Sequence, residues 1–172
     1  GASETWQYVS GAVYFTPDSS PACRFQTVAI PNAATIDAAT LTVEVITAAA
    51  HSSTLWGELV ADAALWAASS ANGPNRMTRT TVSITFGSFT TTGDHARNIP
   101  TLIQEIVNQG TWVSNNDLRV GAIDNASAGN VIFAEMGYHG ASRAGRLSVD
   151  YTVGGGGATW PGWMHSRGGW TA

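Results

Sequence analysis

The alternation of apolar and polar positions is clearest between Ala22 and Ile46, ACRFQTVAIPNAATIDAATLTVEVI. Two strand-like runs, Arg24–Ile30 and Thr40–Ile46, flank a segment of turn formers and small residues, Pro31 to Asp37. Pro31 fixes its own φ and biases Ile30 toward extended geometry. In the second run Leu41, Val43 and Val45 alternate with Thr42, Glu44 and Ile46. That is period two, the mark of a strand with one buried face. The period recurs downstream: Val82, Ile84 and Phe86 share a face of Thr80–Phe86, and Leu147, Val149, Tyr151 and Val153 share one in the last strand. Leu118–Ile123 and Val131–Met136 are further strand candidates, and residues 4–15 read as two short strands broken at Ser10-Gly11.

Period 3.6 holds convincingly once. Ile99, Leu102, Ile103, Ile106 and Val107 form a single apolar stripe and predict a helix over about 99–109. Pro100 suits its first turn, and Gly110 suits the position just past its end. Glu105 falls on the solvated side of this helix. Thr54–Trp66 is ambiguous: Leu55, Leu59 and Leu65 with Ala between them suit a helix. Thr90–Asn98 reads as a polar loop. Nine or ten short strands with frequent turns and one helix predict an all-β sandwich or jelly roll.

Several phrases resemble one family. RFQTVAIPNAATIDAATLTV is similar to the opening of DNRLRE-type and carbohydrate-binding-module-like jelly-roll modules of phage and extracellular proteins, with Ala33 where Gly is usual. Asn75 to Thr81, NRMTRTT, resembles the segment before the family's middle strand. Ile99 to Trp112, IPTLIQEIVNQGTW, resembles its helix and turn, and Arg146 to Tyr151, RLSVDY, its closing strand. The resemblance spans about residues 6–153. It implies, in place of a helix over Thr54–Trp66, a strand through Val60 followed by a short helical turn at Asp62–Trp66, and it implies a jelly-roll fold. The family shares no catalytic set, so the resemblance implies a scaffold rather than a reaction.

Composition narrows the function classes. Hydrophobic residues make up 44% of the 172 residues, enough for a core, but charged residues only 12%. All eight basic residues are Arg and the net charge is −4, which gives no basic footprint for nucleic acid. No run of about 18 apolar residues is present to span a membrane. Cys23 stands alone, which excludes an internal disulfide; it is a buried small hydrophobe or a link to another chain. No signal peptide is visible at Gly1, which fits either its removal or synthesis in a cytoplasm and release in a particle.

Gly154–Gly157 divides a domain, 1–153, from an extended C-terminal arm, 154–172. The arm carries Trp160, Trp163 and Trp170, three of the seven Trp, with Pro161 and Met164 between them. Exposed Trp at that density is unfavourable in water unless covered, and Trp is enriched where binding energy concentrates. These five residues are the predicted partner-binding set.

Chemistry is sparse. His51, His95, His139 and His165 show no metal-ligand spacing, and no nucleophile or phosphate-loop motif occurs. Asp62, Glu105, Asp117, Asp124 and Glu135 are carboxylates that a glycosidase would have to pair across a cleft. No cofactor is expected. Calcium is the one ion with clustered oxygen ligands, at Asn115-Asn116-Asp117 or Asp124-Asn125, where turn chemistry explains the residues equally well. The reading is therefore a non-enzymatic virion structural protein of a tailed phage. Capsid decoration is the leading role, with a tail or fibre component next. It would be made in the host cytoplasm and would contact other virion proteins, major capsid or tail subunits, and copies of itself. The alternative is an extracellular carbohydrate-binding module for host or matrix adhesion, with Trp56, Trp66 and Trp112 as stacking rings.

Overall fold

The computed structural model describes residues 3–4, 8–9, 12–15, 21–64, 77–125, 131–134, 143 and 145–154. Along the chain run β1 (Ser3–Glu4), β2 (Tyr8–Val9), β3 (Ala12–Phe15), β4 (Ala22–Val28), β5 (Thr35–Thr47) and β6 (Ser53–Glu58). They are followed by β7 (Arg79–Thr85), β8 (Gly93–Asn98), α1 (Pro100–Val107), β9 (Asn116–Asp124), β10 (Val131–Ala134) and β11 (Arg146–Thr152). One sheet has five strands in the order β1-β4-β9-β6-β7. The other has six, in the order β11-β5-β10-β3-β2 with β8 on β5. Every pairing is antiparallel. The fold is an all-β sandwich with one short helix, as the periodicity predicts.

Alternation explains the core. Phe25, Leu55, Leu118 and Val120 from the five-stranded sheet meet Leu41, Val43, Val45, Phe133 and Leu147 from the other in one buried cluster. Helix α1 adds Leu102, Ile103, Ile106 and Val107, all fully buried. It is eight residues long, with no side-chain N-cap, no acidic residue in its first turn and no basic residue in its last, so packing holds it rather than propensity. Gly57 permits the close approach: a Cβ there would lie 2.8 Å from Ile106 Cδ1 and from Leu102 Cδ2.

The helix end is fixed by the turn before β5. Asn32 Nδ2 donates to Val107 O at 3.4 Å, a carbonyl at the end of the helix, and to Gln109 O at 2.8 Å, which also accepts from Trp112 N. Gln104 bridges to the same turn, accepting from Ile36 N and donating to Ala34 O. Trp112 Nε1 donates to Ile30 O at 2.9 Å from inside the core. Ala33, where the resemblance expects Gly, has φ 56. That is the left-handed region, where a Cβ costs about 1–2 kcal/mol.

The structure departs from the sequence reading in four places. The segment Thr90–Asn98 is not simply a loop: Gly93–Asn98 is an edge strand along β5. Its alternation was hidden because the half-buried positions are His95 and Arg97, which lie against Phe89 and are not apolar. Strand β5 begins at Thr35, inside the segment assigned to the turn. Strand β6 ends at Glu58 rather than Val60, and Asp62 lies in a bend where a helical turn was expected. Helix α1 stops at Val107 with Asn108 as its cap, so Gly110 is not the terminator.

Candidate functional site

Among the described residues, the outer face of the five-stranded sheet carries a dense group of polar contacts. Gly57 points at the helix, so its neighbours Trp56 and Glu58 point outward. On β9 Leu118, Val120 and Ala122 are core, which sends Arg119 and Gly121 outward. Arg24 is directly opposite Arg119 in the β4–β9 register. Like charges in that relation repel unless each has its own counter-ion. Arg24 Nη1 has Asp117 Oδ2 at 2.9 Å, and Arg119 Nη1 pairs with Glu58 Oε2. Both arginines are buried, 9% and 1% exposed. Removing either partner would leave a buried charge, which is the costly case.

These guanidiniums also fasten the segment after β6. Arg24 Nη1 donates to Ala63 O at 3.2 Å, and Arg119 Nη2 donates to Ala64 O. Ala63 N returns a bond to Asp117 O at 2.9 Å, and Asp62 Oδ1 accepts from Asp117 N at 2.8 Å. Asn116 Nδ2 donates to Ala61 O at 3.0 Å. Residues 61–64 thus lie across the sheet's outer face as a latch built from carbonyls, carboxylates and arginines.

Two carboxylates fill irregularities in the ladders. The β4–β9 register shifts between Phe25 and Val28, where Thr27 has φ 50, and Asp117 Oδ1 accepts the Thr27 N–H at 2.8 Å. The β6–β7 register shifts between Trp56 and Glu58. There Thr80 Oγ1 accepts from Gly57 N and donates to Val82 O. Glu105 reaches down from α1 to accept from Thr81 N at 2.7 Å, Val82 N at 2.9 Å and Thr81 Oγ1 at 3.0 Å. A bulge leaves its extra donors unpaired, and these carboxylates supply the missing acceptors. Burial pushes the Glu105 carboxyl upward, but the three donors together outweigh it and hold the group below its ordinary value. Glu105 is therefore a tie between helix and strand, not merely a solvated face.

Trp56 sits half-buried on the same outer surface, flanked in register by Gly121 on β9 and Ser83 on β7. The Arg79 guanidinium lies over its ring, 5.6 Å from the centroid. One step along β6, Thr54 exchanges hydrogen bonds with the Asn125 side chain at 3.1–3.3 Å. Sequence reasoning singled out Trp56 but missed Arg79. Cross-strand register brings the two together, and a single strand's pattern does not reveal register.

The other predicted residues fall as follows. Trp112 is 1% exposed and belongs to the core, so it presents no ring face to a sugar. Trp66 and the arm residues Trp160, Pro161, Trp163, Met164 and Trp170 lie outside the described residues, as do Glu135, His139 and His165. Asp117, proposed for calcium, has its oxygens engaged by Arg24 and Thr27 N, and Asn116 Nδ2 is engaged by Ala61 O. Among the described residues no three His, Cys, Asp or Glu side chains converge as a metal site. His51 is buried, and His95 Nε2 is 2.8 Å from Thr91 O. Cys23 is half-buried against the core, and burial pushes its thiol well above the ordinary range, away from the reactive thiolate. Elsewhere Arg143 grips Glu44 through two nitrogens, at 2.5–3.0 Å, and the carboxylate beside it raises the guanidinium's own affinity for its proton. No helix among the described residues is long and apolar enough to cross a membrane. No protein-family model and no curated protein matches the chain.

Proposed function

We propose that this chain is a non-enzymatic structural protein of a tailed-phage virion, with capsid decoration as the leading role and a tail or fibre component next. The observation that supports it most is the use made of the carboxylates. Glu58, Asp117, Glu44 and Asp94 pair with arginines, and Asp37, Asp62 and Glu105 accept hydrogen bonds from distant strands. Charge is spent on cross-links between elements, which suits a module whose task is to hold shape. The sequence of residues 154–172 supplies contact chemistry: a glycine run followed by Trp160, Pro161, Trp163, Met164 and Trp170. The similarity to phage-borne modules points the same way.

Mechanically, the sandwich covers a seam between subunits. The arm inserts its Trp rings into apolar pockets of a neighbouring capsid or tail subunit, or of another copy of this chain. Symmetric repetition multiplies modest single contacts. Deleting residues 155–172 should leave the melting transition of the sandwich intact while abolishing incorporation into particles. A truncated chain that still decorates particles fully would sink the assignment.

A further inference from the structure

Strand β8 is an edge of the six-stranded sheet: among the described residues it pairs with β5 and with no strand beyond it. The register fixes which of its backbone groups are left over. Ile99 N donates to Ala39 O at 2.8 Å, so Ala39 and Ile99 are a hydrogen-bonded pair, and no shift interrupts the ladder from Asn98 to Gly93. In an antiparallel ladder such pairs alternate with pairs that are not hydrogen-bonded. Arg97 and His95 therefore turn their N–H and C=O toward β5, and Asp94, Ala96 and Asn98 turn theirs away from it. A row of outward backbone groups is a template for one more strand, and in any assembly of many copies the same edge of a neighbour is the strand at hand.

The row is not left open. Arg97 Nη1 donates to Ala96 O at 2.8 Å, which occupies the central outward carbonyl, and Nη2 donates to Gly87 O at 3.3 Å. The guanidinium is held over the ring of Phe89, 5.4 Å from its centroid, and Phe89 is fully buried. The Asp94 and Asn98 side chains are tied to their own sheet, by Arg146 Nη2 at 2.6 Å and by Thr40 Oγ1 at 3.2 Å. The strand itself, Gly-Asp-His-Ala-Arg-Asn, holds none of the β-branched, Phe, Tyr or Trp side chains that favour strand pairing. The other sheet shows the same arrangement with the opposite charge. Strand β7 ends that sheet, and Glu105 accepts from its Thr81 and Val82 N–H groups. We infer that Arg97 guards the β8 edge: it keeps the sandwich from adding the β8 strand of another copy of this chain and so from joining edge to edge. This role is separate from the C-terminal arm, whose proposed contacts use side chains.

The test uses the full-length protein. Residue-resolved hydrogen exchange of the wild type should show the Asp94 and Ala96 amides exchanging fast, at a rate independent of protein concentration. Arg97→Met keeps an apolar stem beside Phe89 but loses the donors to Ala96 O and Gly87 O. This variant should gain mass over the wild type as concentration rises. Its Ala96 amide should then exchange about tenfold slower or more, as an amide that has acquired an inter-strand bond. Adding Ala96→Pro removes that N–H at a position the β5 ladder does not use, and should return the mass to the wild-type value. The proposal is overturned if Arg97→Met keeps wild-type mass and exchange, or if Ala96→Pro does not reverse the association. Should Arg97→Met fail to fold, the wild type decides. Protection of Asp94 and Ala96 that grows with concentration overturns the guard, and fast exchange at every concentration supports it. Association through the arm moves the mass of wild type and variants alike and leaves the β8 amides unprotected, so a failure of the arm and a failure of the guard are told apart.

Discussion

Glu105 lies on the polar side of an amphipathic helix, where a solvated role is the ordinary expectation. Its carboxylate instead accepts from Thr81 N, Val82 N and Thr81 Oγ1. In Glu105→Gln one side-chain oxygen is replaced by an NH2 that faces donors. The partly exposed setting keeps the expected loss to about 1 kcal/mol at pH 7, below the range for fully buried charged hydrogen bonds. The sign with pH follows from the lowered carboxyl. The native group binds its proton less readily than the unfolded one, so its contribution is complete above the unfolded value of about 4.3. It is lost as pH falls through the lower native value. Urea melts of wild type and Glu105→Gln should therefore differ at pH 7 and converge as pH falls below the lowered native value. A gap that persists at low pH would contradict the tie. The sequence marked Glu105 as polar and exposed, which is half right. Which backbone donors it meets depends on a bulge in β7, and a bulge leaves no trace in a period-two pattern.

At the scale of elements, the stretches that carry the family resemblance prove to be physically coupled. The turn Ile30–Ile36 holds the end of α1 through Asn32, Gln104 and Trp112, and α1 holds β7 through Glu105. Separate words in the sequence are thus parts of one hydrogen-bonded assembly. Their individual weakness as motifs follows, because each supplies half of a contact. Strands β5, β7, β9 and β11 were legible from alternating apolar residues. Strand β8 was not, since neither of its faces is apolar. The Arg24–Arg119 pairing likewise needed register. Arg119→Met should destabilise the sandwich by roughly 3–5 kcal/mol, leaving Glu58 buried without its counter-charge. The double variant Glu58→Met with Arg119→Met should recover most of that loss, as measured by chemical denaturation. If the double variant is no better than the single one, the loss stems from the latch at Ala64 and not from the buried charge.

For the whole molecule, the sandwich is a frame whose inner faces are consumed by the core and many of whose described carboxylates form ties between elements. The sequence after Gly154 carries the Trp-rich set on which the proposed contacts rest. The all-β class and the placement of the helix were readable from periodicity. The roles of the tryptophans were readable only in part, because Trp56, Trp66 and Trp112 look alike in sequence while Trp112 is core. The central claim, assembly through the C-terminal arm, is tested most directly by light scattering on the full chain beside a 1–153 truncation. The account predicts a defined oligomer or aggregate for the full chain and a clean monomer for the truncation. Two monomers, with the arm of the full chain protected from protease, would contradict it, because the arm would then be packed on its own domain.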